Sequence, residues 1–294
     1  MKHLETIATV LVLSTVAVLP AAAQSIDAGR GPIPLTVPEG YDPDIPTPLI
    51  VVLHGYGGSG AGTDARWGIS ALADEYVFLT IAPDGPKENG GRQTPFWNAS
   101  DACCNFEGSR SDDSGYIRRI IEEIKAGYNV DEARVYVTGH SNGGFMSYRM
   151  AYEHSDVVAA IVSLAGANHA EERDPPPNPV HVLQIHGTDD ATIDYRGGEI
   201  RENRYPSAIA SVTRWAQYNG CDMSRSSREM RDLDTSLPGY ETGVMKLNTG
   251  CKDGGSAELW TISDGAHSPV YSDTYGAQVV EWLLAHPKPG YLLD

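Results

Sequence analysis

The chain predicts an α/β fold, a doubly wound and mostly parallel sheet in a single domain. Three observations lead there. Short apolar runs alternate with amphipathic stretches along the 294 residues, the pattern of strands crossed over by helices. The runs are apolar at successive positions, as expected of strands covered on both faces. No internal repeat or low-complexity linker divides the chain, and proline clusters at 43–48 and 175–179 read as rigid loops.

Strands are predicted at 49–53, 77–81, 134–138, 159–164, 181–185 and 258–262, each rich in Val, Ile and Leu. Between them, 114–128 sets Ile117, Ile120, Ile121 and Ile124 on one helical face behind an Asp112-Asp113-Ser114 cap. A second helix is predicted over 206–218, opened by Pro206, and a terminal one over 272–284.

The first 23 residues stand apart. Lys2, an apolar stretch from Ile7 to Leu19 and Ala21-Ala22-Ala23 before Gln24 predict an export signal peptide, leaving 24–294 as the folded catalytic domain. About thirteen apolar residues are too few to span a bilayer. The expected location is therefore secreted or periplasmic, where cysteines form disulfides. Cys221 and Cys251 bracket a polar loop, and joining them would stabilise by roughly 3–4 kcal/mol in the chain-entropy description. Cys103 and Cys104 are adjacent, and their pairing stays open, because neighbouring Cα atoms sit about 3.8 Å apart across a trans peptide, less than ordinary disulfides need. No C-x₂-C spacing supports a zinc site. With 22 basic against 39 acidic residues the net charge is −17, which disfavours nucleic acid and polyanionic ligands and favours a neutral substrate. Neither a membrane nor a permanent partner is expected, and the protein is expected to be a monomer.

The sharpest motif is Gly139-His140-Ser141-Asn142-Gly143-Gly144, a G-x-S-x-G between a predicted strand and a helix. In that context the serine sits on a strained strand-to-helix turn at the carboxyl edge of the sheet. A serine needs a base held by an acid, and in the α/β-hydrolase arrangement they follow in the order Ser, Asp or Glu, His. His267, in Ser263-Asp264-Gly265-Ala266-His267, lies just beyond the last strand and is the favoured base. His181 and His186 sit on or at the end of a strand, where a structural role is expected. The acid should follow the preceding strand, in His186-Gly187-Thr188-Asp189-Asp190, and spacing alone does not separate the two aspartates. Acyl transfer also needs two N–H donors for the oxyanion. The amide of Asn142 is one, and the Leu53-His54-Gly55-Tyr56-Gly57-Gly58 loop offers that of Tyr56. His54 reads as a buried hydrogen-bonding residue. No metal or organic cofactor is called for.

Together these residues resemble the esterases grouped with polyhydroxybutyrate depolymerases and the feruloyl and acetylxylan esterases of carbohydrate esterase family 1. The resemblance rests on PLIVVLHGYG at 48–57, FWNASDACC at 96–104, DDSGYI at 112–117, RVYVTGHSNGG at 134–144, HGTDD at 186–190 and GAH at 265–267. It implies an α/β-hydrolase fold with Ser141 as nucleophile, Asp190 rather than Asp189 as the acid, and His267 as base. It implies Tyr56 as the second oxyanion donor beside Asn142. It also places Tyr56 and Trp97 at the substrate cleft, with a packed core indole the alternative for Trp97. Two departures stand out. Ser268-Pro269 follows His267 where relatives carry an aromatic wall, and Asp194 is expected to bring a negative charge near the site. The implied function is hydrolysis of feruloyl or acetyl polysaccharide esters, or of hydroxyalkanoate or aromatic polyesters. A serine peptidase and an inactive hydrolase-fold binding protein are the rivals.

Overall fold

A computed structural model describes residues 24–289. Predicted residues 1–23 and the last five residues lie outside that range. The strands, in chain order, are β1 (Ser25–Asp27), β2 (Pro32–Thr36), β3 (Thr47–Leu53), β4 (Leu79–Ile81), β5 (Val130–His140), β6 (Ala160–Leu164), β7 (His181–Gly187), β8 (Gly198–Ile200), β9 (Asn203–Tyr205), β10 (Met230–Arg231), β11 (Thr242–Leu247) and β12 (Ser256–Ile262). The helices are α1 (Gly60–Trp67), α2 (Ala73–Tyr76), α3 (Asp113–Gly127), α4 (Asn142–Glu153), α5 (Ala208–Tyr218) and α6 (Tyr275–Leu284).

Ten strands form one sheet in the order β1-β2-β4-β3-β5-β6-β7-β12-β11-β10. Its centre, β4-β3-β5-β6-β7-β12, is parallel throughout, and these are the six strands the apolar runs predict. Antiparallel strands close both edges. Alternation along each central strand divides the core in two. Leu49, Val51 and Leu53 of β3 face Ile117, Ile121 and Phe145 in the layer of α3, α4 and α5. Ile50 and Val52 face the layer of α1, α2 and α6, with Trp67, Val279 and Leu283. Burial on both faces explains why these strands read as unbroken apolar runs.

α3 begins as its cap predicts, with the Asp112 carboxylate accepting from the Gly115 amide. α5 differs: Ser207 is its N-cap and Pro206 precedes it, so the proline sets up the cap instead of opening the helix. Both cysteine pairs are joined, Cys221 to Cys251 as expected and Cys103 to Cys104, the pair the sequence leaves open.

The chain runs from β3 outward to β4, then returns to the other side of β3 with β5 and proceeds through β6, β7 and β12. The sheet's direction of winding therefore reverses between β3 and β5. In open α/β sheets, ligands bind beyond the carboxyl ends of the strands at such a reversal.

Candidate active site

Four loops meet at that edge. β5 ends at His140, and Ser141 turns the chain into α4 with φ 54° and ψ −117°. A non-glycine residue in that region is strained, and the surroundings must enforce it. They do so through the Ser141 amide, which donates to the Leu164 carbonyl (2.7 Å), and the Ser141 carbonyl, which accepts from Phe145 (3.0 Å). The turn admits no side chain at its flanks: a Cβ on Gly139 would lie 2.4 Å from the Gly143 carbonyl carbon, and one on Gly143 2.3 Å from the Leu53 oxygen.

The loops after β7 and β12 supply the other two groups. His267 Nδ1 donates to Asp190 Oδ2 at 2.7 Å, across 77 residues of sequence. With that nitrogen committed as a donor, Nε2 of the neutral ring is an acceptor, the state a general base requires. Asp189 is exposed, and only its amide is held, by the Gly265 carbonyl; Asp190 is the buried acid facing the imidazole. Burial alone would raise the Asp190 carboxyl. Hydrogen bonds from His186 and His267, the charge of His267 and the Ile193 amide outweigh it and hold the group well below the usual carboxylate range.

Ser141 and His267 line one cavity of about 630 Å³ together with Tyr56, Thr63, His140 and Thr192. Among the described residues no hydrogen bond joins the Ser141 hydroxyl to the imidazole, a contact that often tightens only when substrate binds.

Two backbone amides are free to meet an oxyanion: neither Tyr56 N nor Asn142 N donates to a protein acceptor among the described residues. The first is aimed by His54. The His54 ring accepts from the Gly85 amide at Nε2 (2.9 Å), so Nδ1 carries the hydrogen and donates to the Gly55 carbonyl (2.7 Å). Gly58 N holds the same oxygen at 2.9 Å. In a planar trans peptide, fixing the Gly55 carbonyl fixes the Tyr56 N–H in the opposite direction. The side chain of Asn142 is locked separately, its Oδ1 accepting from Trp97 N (2.6 Å) and its Nδ2 donating to the Trp97 carbonyl (2.9 Å).

That exchange bears on Trp97. Its indole is fully buried, donates to the His54 carbonyl at 3.1 Å and does not line the cavity. Of the two readings the sequence leaves for Trp97, substrate contact and packed core indole, the structure shows the second: it packs beneath the loop of Tyr56 and the turn of Asn142. Tyr56 does line the cavity, its ring edge-on to Phe106 and its hydroxyl donating to Glu88 (2.7 Å). Arg201, from the turn between β8 and β9, stacks 4.3 Å over Phe106 and extends this wall. Asp194 does not bring its charge to the cavity; its carboxylate accepts from the Arg196 amide within its own turn.

Two further histidines complete the geometry. His186 sits in a buried chain in which Tyr148 donates to Gln184 Oε1 (2.9 Å) and Gln184 Nε2 donates to His186 Nδ1 (3.0 Å). His186 Nε2 then lies 2.8 Å from the Ile193 carbonyl and 3.2 Å from Asp190 Oδ2. His140 Nε2 donates to the carbonyl of His267 itself (3.0 Å), tying the His267 loop to the residue before Ser141. Burial, then the charge of His267, pushes His140 down to about 4, so it is neutral near pH 7. Among the described residues no cluster of three or more His, Cys, Asp or Glu is placed to hold a metal ion, and no helix is long and apolar enough to cross a membrane.

A strained serine turn after the central strand and a His–Asp pair on the loops after β12 and β7 define an α/β hydrolase. The chain belongs to the phospholipase/carboxylesterase family, whose model matches residues 41–239. It is 26% identical over 240 residues to feruloyl esterase B of Piromyces equi, covering 79% of this chain and 41% of that protein. It is 32% identical over 119 residues to poly(3-hydroxyalkanoate) depolymerase C of Paucimonas lemoignei, covering 40% of this chain and 28% of that protein. The chain thus spans less than half the length of these relatives. Among solved structures, an acetyl xylan esterase from Aspergillus awamori superposes with a TM-score of 0.62 at 19% identity, over 88% of this chain and 98% of that one.

Proposed function

We propose that this protein is a serine carboxylesterase working through an acyl-enzyme. The observation that carries the reading is the 2.7 Å bond from His267 to Asp190, opening on the same cavity as a serine held in the strained turn. Ser141 Oγ attacks the ester carbonyl as His267 Nε2 takes its proton. Asp190 keeps the imidazole in the required tautomer and stabilises the imidazolium that forms. The amides of Tyr56 and Asn142 receive the oxyanion, and loss of one such donor typically lowers turnover on the order of 10²–10³. His267 returns the proton to the leaving alcohol. It then activates the water that releases the acid and restores Ser141.

The names of the relatives, a bifunctional acetylxylan esterase/xylanase of Neocallimastix patriciarum among them, support feruloyl or acetyl esters of polysaccharide, or hydroxyalkanoate polyesters, as the substrate group. The two disulfides fit export through a leader at residues 1–23. The test is Ser141→Ala assayed on p-nitrophenyl butyrate, with fluorophosphonate labelling of the parent. Near-complete loss of hydrolysis and of labelling is expected. Retained turnover in Ser141→Ala rejects the scheme.

A further inference from the structure

The cavity around Ser141 contains a charge that the hydrolytic cycle does not use. Arg66, on the last turn of α1, is the only lining residue with a permanent charge, and no lining residue is acidic. It is exposed, and no carboxylate lies within 4.0 Å of its guanidinium among the described residues. Among the described residues seven of the sixteen arginines meet a carboxylate within 4.0 Å and Arg66 is not one of them; what sets it apart is its place in the wall of the Ser141 cavity. Arg118, Arg149 and Arg231 each meet a carboxylate within 3 Å.

The acids beside Arg66 in sequence and those bonded to residues of the cavity and its loops are engaged with other groups. Asp64, on the same helix, accepts from the Ser70 amide (2.9 Å) and hydroxyl (2.5 Å). Asp84 accepts from Gly60 N at 2.7 Å, Glu88 from the Tyr56 hydroxyl, and Asp190 from His267. The charge of Arg66 acts on Tyr271, whose phenol burial raises and Arg66 opposes, and on His140, whose depression by burial and by the His267 charge Arg66 reinforces. Its field therefore reaches the residue beside the nucleophile. Favourable interaction with the carboxyl end of α1 gives a reason for a cation on that turn. It gives none for a cavity mouth without a counter-charge.

We propose that Arg66 is a specificity residue that makes this site prefer esters bearing a carboxylate, such as hemiesters of dicarboxylic acids or hydroxy-acid oligomers with a free acid end. The inference rests on the serine esterase reading. A substrate anion would supply the counter-charge the protein withholds. Two unit charges about 4 Å apart gain about 1 kcal/mol in water and more where solvent is thinned, which is at least about fivefold in kcat/KM.

The experiment compares matched pairs: mono-4-nitrophenyl glutarate against 4-nitrophenyl pentanoate, and the free acid of a hydroxybutyrate dimer against its methyl ester. The ratio of kcat/KM, anionic over neutral, is measured for the parent, Arg66→Gln and Arg66→Lys at low and at 0.3 M salt. In at least one pair, Arg66→Gln should lower that ratio about fivefold to tenfold, Arg66→Lys should hold most of it, and added salt should lower the parent ratio. A ratio in Arg66→Gln within twofold of the parent in both pairs overturns the proposal, whatever happens to the separate rates. Failure of the parent to hydrolyse either neutral ester would instead reject the esterase reading.

Discussion

Replacing His140 with glutamine should flatten the acid side of the stability profile. The folded ring is held near pKa 4, by burial first and then by the charge of His267, against 6.5 for the free side chain. Because the folded value is the lower one, the unfolded chain binds a proton that the native state refuses between those two limits. Stability therefore rises with pH across roughly pH 4–6.5 and is lost as the solution is acidified through it. A 2.5-unit difference corresponds to about 3 kcal/mol in full, of which about 2 kcal/mol falls between pH 7 and pH 5. Glutamine can donate to the His267 carbonyl as His140 Nε2 does at 3.0 Å, but it does not titrate. Urea unfolding of both proteins at pH 5, 6 and 7 should show the variant losing about 2 kcal/mol less than the parent on acidification. His181 and His169, also depressed by burial, act in the same direction and leave a residual slope in both. Coincident slopes, or a steeper one in the variant, would refute the assignment of a buried neutral imidazole.

Gly143→Ala would push a methyl group against the Leu53 carbonyl at 2.3 Å. It should yield protein that is either insoluble or destabilised by about 2–3 kcal/mol or more in urea. Arg30→Ala strips the charge partner from the fully buried Asp113, which it meets at 2.6 Å while lying 3.9 Å over Tyr116. The Asn98 amide and the Ser111 hydroxyl still reach that carboxylate, so the loss should be about 2–4 kcal/mol in equilibrium unfolding. Replacing Cys221 and Cys251 together with alanine should lower stability by about 3–4 kcal/mol with little change in turnover, read from unfolding curves and an ester assay.

The six parallel strands were legible because burial on both faces leaves a strong local mark: Leu49 to Leu53 is apolar at every position. The edges were not. β1, β10 and the hairpin of β8 and β9 are two or three residues long and largely exposed, so their sequence answers to pairing partners and carries no periodicity of its own. Within the site, the placement of Ser141 on the turn after β5 and of His267 beyond β12 could be read from motif and chain order, since a strained strand-to-helix turn needs flanking glycines and the loop after the last strand reaches the same edge of the sheet. Asp189 and Asp190 could not be told apart by spacing, because which one turns inward depends on the bend after β7. For His186 the structural role was legible but its partners were not, and His140 escaped for a related reason. Their roles are set by what crosses over them from segments tens of residues away, and a histidine paired to a carbonyl looks in sequence like any other.

Ser141 and His267 are anchored at unequal depth. The serine follows β5, hydrogen-bonded on both sides to β3 and β6 in the middle of the sheet. The imidazole rides on a surface segment tethered by Asp190, by His140, by the Asp189-to-Gly265 contact and by the Asp264 amide on the Thr188 hydroxyl. Amide protons near 136–140 should exchange with solvent only on global opening, and those near 264–268 far sooner. On the proposed mechanism, moderate heating would then silence the protein by swinging His267 aside while the scaffold stays closed, and cooling would restore it.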